Sequence, residues 1–285
     1  MNWKEHSSGG IGEACRATNA PGSAVEGERR TQARRRNVST PTQQISEVMT
    51  EELTQRLQSF LGRVTISPPL AVGFSGIDGA GKTTQLRYLD EWLKACGLTT
   101  FPTKVVFHGM SAIYRLAEKM TGDPFAYHPI VPATLREFVI ACDYAVHYFD
   151  VVEAELRAGK TILWDRSGFC YRVYAHAFGA DLTWIRQVYE LVPPLDIVFL
   201  LDAPADVAYS RLLRRREKPA RADEHRSFLS KVRETYLVEA HREKHVVIVD
   251  ASATPDETQV QIRRLLMSKL SEMLKGRKCE CQGDL

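Results

Sequence analysis

The stretch G-I-D-G-A-G-K-T-T, Gly76 to Thr84, follows directly on the apolar run L-A-V-G-F-S. It matches the G-x-x-x-x-G-K-[ST] pattern, whose chemistry is the grip on phosphate groups. Gly76, Gly79 and Gly81 leave the backbone bare, so that successive N–H groups can turn inward on an anion. A helix opening after Gly81 adds its positive N-terminal end. Lys82 is placed to reach the β- and γ-phosphates of a nucleoside triphosphate, and the Thr83 hydroxyl to ligate Mg²⁺. Gly76, Asp78, Gly79, Ala80, Gly81, Lys82, Thr83 and Thr84 therefore make up the expected ATP-phosphate site. The chain has no N-K-x-D, the guanine-reading sequence. An ATP-using transferase is favoured over a GTP switch.

The elements that must hold this loop are visible as alternation. Short β-branched or aromatic runs occur at 71–75, 104–108, 161–165, 196–202 and 245–250. Between them lie stretches with apolar residues at three and four spacing, among them Leu86–Leu93, Leu135–Leu156 and Phe228–Ala240. Strands apolar on both faces that alternate with helices predict a parallel sheet covered by helices. The fold class is thus α/β, a P-loop NTPase domain with a five-stranded parallel sheet. Leu53, Leu57, Phe60 and Leu61 fall at helical spacing and predict a short docking helix ahead of the first strand.

Composition bounds the rest. Hydrophobic content of 44% and charged content of 26% in 285 residues suit one globular domain with extensions. A net charge of +3 does not by itself imply nucleic acid or membrane as a partner. No apolar run approaches the length of about 18 residues needed to span a bilayer. Residues 1–48 are rich in Gly, Ser, Thr, Ala and Arg and poor in large apolar side chains. That predicts a disordered tail, with Met49 a sensible start for a domain over 49–275 and 276–285 a flexible end. The run Arg29 to Arg36 is basic enough to suggest nucleic acid, but a solvated tail explains it as well. Six scattered cysteines and no secretory segment point to reduced thiols in a cytoplasmic setting. Cys279 and Cys281 supply two ligands, too few for a zinc site.

F-S-G-I-D-G-A-G-K-T-T-Q closely resembles the opening of thymidylate kinases. T-I-L-W-D-R (161–166) looks like that family's aspartate–arginine motif, and P-P-L-D-I-V-F-L-L-D (193–202) is similar to its P-D-L-x-x-x-L-D segment. K-V-R-E-T-Y-L (231–237) and V-I-V-D-A-S (247–252) fit its C-terminal part, so the resemblance covers roughly residues 70–270. It implies that Asp165 lies near Mg²⁺ and the reacting phosphates. Arg166 would hold the acceptor's phosphate, and Asp78 a sugar hydroxyl of the acceptor. R-L-L-R-R-R-E-K-P-A-R (211–221) looks like a lid. Gly79 places the chain in the branch whose lid supplies the arginines, which makes Arg214, Arg215, Arg216 and Arg221 the candidates to neutralise the transferring phosphoryl group. The 250–255 turn resembles the loop that packs on adenine. The resemblance implies ATP and Mg²⁺ as cofactors and a small-molecule acceptor, and it allows a homodimer.

Three stretches depart from the family. Its R-E-P-G-G-T-type segment is replaced by F-H-G-M-S-A-I-Y-R (107–115), where Arg115 could substitute. Tyr144 stands where the family commonly has a substrate-side arginine. S-S-x-A-Y-Q is replaced by G-F-C-Y-R-V-Y-A (168–175), which also looks like the E-R-S-x-x-S-x-R-Y segment of deoxynucleoside kinases, with Arg172 at the second arginine. Tyr144 and Arg172 join Asp78 and Arg166 as candidate acceptor contacts. Tyr144, Tyr148, Phe169, Tyr171 and Tyr174 could line an aromatic pocket. Losing cations matters, because an acceptor phosphate brings about two charges that need pairing. The expected reaction is ATP-dependent phosphorylation of a nucleoside monophosphate, dTMP first. A nucleoside or other metabolite, with Asp165 as base, is the alternative, and a non-catalytic ATP binder is a third.

Overall fold

The computed structural model describes residues 41–62, 69–215 and 225–280. Five strands, β1 (Ala71–Ser75), β2 (Thr100–Lys104), β3 (Thr161–Asp165), β4 (Ile197–Asp202) and β5 (Val246–Asp250), form one parallel sheet in the order β2-β3-β1-β4-β5. Every residue of β1 and β3 is buried, as a sheet covered on both faces requires. Phe74 of β1 meets Phe199 of β4 with ring centroids 5.7 Å apart, at the centre of the core.

Four strands lie within a residue of their expected places, and the second does not. The run 104–108 was expected to pair, but β2 occupies Thr100–Lys104 and contains Pro102. Proline deletes a ladder donor, and an edge strand is where a sheet tolerates that loss. β2 is such an edge, pairing only with β3, where Pro102 lies opposite Leu163.

Helices fill the connections: α1 (Pro41–Leu61), α2 (Lys82–Ala95), α3 (Gly109–Thr121), α4 (Ala133–His147), α5 (Glu153–Arg157), α6 (Gly168–Ala177), α7 (Leu182–Glu190), α8 (Ala205–Arg215), α9 (Arg226–Ala240) and α10 (Pro255–Glu280). The stretch expected as one helix over 135–156 is α4 and α5 joined by a π-helical turn, Tyr148–Val152. Tyr148 and Val152, at the two ends of this turn, are both buried. The docking helix is longer than its apolar residues implied. α1 opens at Pro41, ahead of Met49, and buries Leu53 and Leu57. It is tied to the rest by Trp92 Nε1 donating to Thr54 Oγ1 at 2.8 Å and by Arg263 donating to Thr50 Oγ1 at 2.9 Å. α10 runs to Glu280, past the expected end at 275. Among the described residues, no helix is long and apolar enough to cross a membrane.

β1 is the middle strand, so the loop leaving its carboxyl end is flanked by the ends of β3 and β4. Phe74 is in register with Asp165, and Ser75 with Leu200. Ligands of open α/β sheets bind at this edge.

His147 reports on the packing of this half. Its Nε2 lies 2.7 Å from Thr103 Oγ1, and its ring meets Trp164 edge-on at 5.7 Å. Burial pushes it below the ordinary histidine value of 6.5, with His108 acting in the same direction and Asp150 against it. The unfolded chain therefore takes up this proton first. The contribution is complete above about 6.5 and is lost as pH falls below it. His245 is shifted the same way by burial. We expect the melting temperature to fall between neutral pH and about 5.5, and to fall less steeply in His147→Gln, as read by differential scanning fluorimetry at each pH.

Candidate active site

The loop after β1 is shaped by two glycines whose backbones no side chain could share. Gly76 has φ of 136°, and a Cβ there would lie 2.6 Å from the Leu201 carbonyl oxygen. Gly79 has φ of 86°, and a Cβ there would press into the backbone of Ala208 in α8, 2.8 Å from its carbonyl carbon. The space beside Gly79 is therefore filled by α8. Gly81 caps α2, whose first residue is Lys82. Lys82 is folded over its own loop: Nζ donates to the carbonyls of Gly76 at 3.0 Å and Ile77 at 2.9 Å, and faces the Asp78 carboxylate at 3.4 Å. Burial lowers its pKa from the usual 10.5, helped by the charge of Arg166 and opposed by Asp78.

One residue further on, Thr83 Oγ1 donates to Asp165 Oδ2 at 2.7 Å. This bond joins the first turn of α2 to the last residue of β3. Asp165 is 7% exposed, and its Oδ1 is buried without a hydrogen-bond partner. An orphaned carboxylate oxygen beside a hydroxyl fits a hard cation, which Mg²⁺ sites of this kind complete with phosphate oxygens and water. The residues fit the ion.

Arg166 is the one non-glycine residue with positive φ among the described residues, at 69°. Such strain persists where the surroundings enforce it and concentrates at functional sites. Here it turns the guanidinium back to the loop. Nη2 bonds the Asp78 carboxylate, and the group lies over the Tyr174 ring, 5.5 Å from its centroid. Asp78, Lys82, Thr83, Asp165 and Arg166 thus stand in one polar cluster at the carboxyl ends of β1 and β3, with Asp78, Lys82 and Asp165 buried, Arg166 half-buried and Thr83 exposed.

Residues 74–262 match the family model described as thymidylate kinase. The chain belongs to the thymidylate kinase family. It is a P-loop kinase. The probable thymidylate kinase of Thermococcus kodakarensis is 31% identical over 201 residues, 69% of this chain and 97% of the relative. That of Thermococcus onnurineus is 32% identical over 199 residues, 68% and 96% of the two chains. The thymidylate kinase of Citrifermentans bemidjiense is 32% identical over 223 residues, 72% and 94%.

Not every family-derived candidate reaches the cluster. Tyr144 is a core residue, 3% exposed and stacked on Trp164 at 4.6 Å with its ring against Gly168. Arg172 points elsewhere. The helical period sets it nearly opposite Cys170 and Tyr174 on α6, and it pairs with Glu243 at 2.5 Å, just ahead of β5. Arg115 is exposed on α3. Of the proposed lid, Arg214 is exposed and Arg215 ends α8, while Arg216 and Arg221 lie outside the described residues.

On the other side of the loop, a cavity of about 140 Å³ is lined by Gly79, Gly81, Gln85, Arg211, Ala251 and Pro255. The 250–255 turn therefore does stand beside the phosphate loop. Arg211, which motif reading left aside, donates to the Ala251 carbonyl at 3.0 Å, and Gln85 to that of Pro255 at 2.8 Å. A second unforeseen tie is the bidentate pair of Arg233 with Asp202, at 2.6 and 2.9 Å, between α9 and the end of β4. A larger cavity of about 270 Å³ lies between α6, α7 and α9, lined by none of the loop residues. Among its charges, Arg172 pairs with Glu243 and Arg242 with Glu239.

Gly79→Ala tests the crowding at α8. We expect it to cost about 2–5 kcal/mol, from an unfavourable φ and a backbone overlap that cannot relax cheaply. Urea denaturation measures the loss, and ATP binding by calorimetry should weaken in parallel.

Proposed function

We propose that this chain phosphorylates dTMP to dTDP with the γ-phosphoryl group of ATP. The observation that carries the reading is the convergence of Lys82, Thr83, Asp165 and Arg166 on one loop, in a member of the thymidylate kinase family. Lys82 leaves the carbonyls of Gly76 and Ile77 for the β- and γ-phosphates, helped by loop N–H groups and the start of α2. Thr83 and Asp165 would hold Mg²⁺, which when bound neutralises charge on the phosphates. The triphosphate's nucleoside lies toward Ala251 and Pro255.

On the acceptor side, the phosphate takes the Arg166 guanidinium. This frees the Asp78 carboxylate to accept a hydrogen bond from the acceptor's sugar hydroxyl. An acceptor phosphate oxygen forms a bond to the γ-phosphorus as the β–γ bridging bond breaks, and ADP departs with the electron pair. An ionised acceptor needs alignment and charge neutralisation rather than a base. Arg214, Arg215, Arg216 and Arg221 are our candidates for the remaining charge. The catalytic unit in this proposal is 49–275, extended forward by α1.

A second reading has its own support. Of the cations considered for the acceptor phosphate, only Arg166 reaches the loop, since Tyr144 stands in place of one and Arg172 serves Glu243. An acceptor without phosphate, such as a nucleoside, would need fewer cations and would use Asp165 as base.

The deciding experiment is acceptor-dependent ADP release from Mg·ATP across dTMP, other nucleoside monophosphates and the matching nucleosides. We expect turnover with dTMP, reduced at least about 100-fold by Lys82→Ala. Turnover confined to nucleosides would transfer the assignment to the second reading. ATP binding with no turnover on any acceptor would leave a non-catalytic nucleotide binder.

A further inference from the structure

The three stretches that depart from the family lie far apart in the chain, and the fold brings them together. Phe107 meets Tyr171 edge-on with centroids 6.1 Å apart, Tyr171 lies 6.1 Å from Tyr144, and Tyr144 stacks on Trp164. Trp164 immediately precedes Asp165. The replaced segments thus build one aromatic wall, from the exit of β2, through α4, to α6. A ring set assembled from all three departures is a single rebuilt surface, not three unrelated changes.

Within that wall two groups are out of place for a purely apolar surface, the Tyr171 hydroxyl and Trp164 Nε1. Tyr171 is 6% exposed, and its hydroxyl is buried with no hydrogen-bond partner. Such an orphan costs free energy that phenylalanine would avoid. Arg166 and Asp165 both act electrostatically on this phenol, so it belongs to the neighbourhood of the loop cluster. Asp165 Oδ1 is a further orphan of that neighbourhood. Of these atoms, the phenol and the carboxylate oxygen act together with Arg166, and both suggest partners that arrive with a ligand.

We propose that Tyr171 is an acceptor-selecting residue of this kinase, its hydroxyl donating to a carbonyl of the acceptor's base while Arg166 takes the phosphate. The assignment rests on the kinase reading above. Burial raises the phenol well above its usual range against the pull of Arg166, so it stays protonated and donates. Phe107 and Tyr144 hold the ring in place, which makes the donor rigid. The site then reads the neutral part of the acceptor with phenol and ring faces, where relatives use additional arginine.

Tyr171→Phe in the full chain removes one oxygen and leaves the packing. With dTMP, or whichever acceptor of the panel the wild type turns over, we expect the acceptor KM to rise about tenfold and the KM for ATP to stay within about twofold. The unliganded melting temperature should hold or rise, because a buried unpaired hydroxyl has gone, while the stabilisation given by the acceptor shrinks. A merely structural hydroxyl would lower the unliganded melting temperature or shift both KM values together, and either result overturns the assignment. An unchanged acceptor KM in an active variant overturns it alone. Silence of the wild type on every acceptor overturns the kinase reading, and this assignment with it.

Discussion

The hydrogen bond from Thr83 to Asp165 is the tie on which the rest of the site depends. It is short, half-buried, and joins two segments that come from different crossovers of the sheet. Through it the phosphate loop and the aspartate–arginine turn become one rigid body. Because Phe74 and Asp165 are in register, the two strand ends arrive level. The helix that opens at Lys82 then has only to place a hydroxyl one residue in. Arg166 follows from the same arrangement: its unusual φ reverses the chain at the strand end and points the guanidinium at Asp78 instead of out to solvent.

In this state the charged groups satisfy one another. Lys82 lies on loop carbonyls, Asp78 on Arg166, and Thr83 on Asp165. Buried charges that lacked such partners would be costly to hold. The same contacts are exchangeable for those of a triphosphate and an acceptor anion, which offer oxygen where the loop offers oxygen and charge where it offers charge. In the proposed reaction, binding exchanges partners rather than creating a site from exposed parts.

Much of this was legible in the sequence, and the parts that were not share a cause. β1, β3, β4 and β5 show as apolar runs because both of their faces are covered. β2 escaped because Thr100-Phe-Pro-Thr-Lys104 is half exposed at an edge, where a strand needs neither continuous apolar residues nor every N–H. The phosphate loop and the Asp165–Arg166 turn were readable because their chemistry fixes residue type and spacing together. Helix phase has no such signature. Whether residue 172 faces the loop or Glu243 depends on how α6 is rotated, which packing against α9, α4 and α7 decides. Arg211 and Arg233 were likewise visible only as members of charged runs, since their partners, Ala251 and Asp202, are brought near by the sheet order.

Pro102 has a consequence beyond the placing of one strand. An open sheet edge is a template, and a neighbouring chain that adds a strand there can propagate into aggregates. A proline in β2 removes a donor from the rim that such an added strand would use, while Lys104 closes the same strand with a charge. On this side the sheet is therefore chemically terminated. Self-association of this chain by strand addition at β2 is disfavoured, which leaves β5 as the sheet edge without that safeguard.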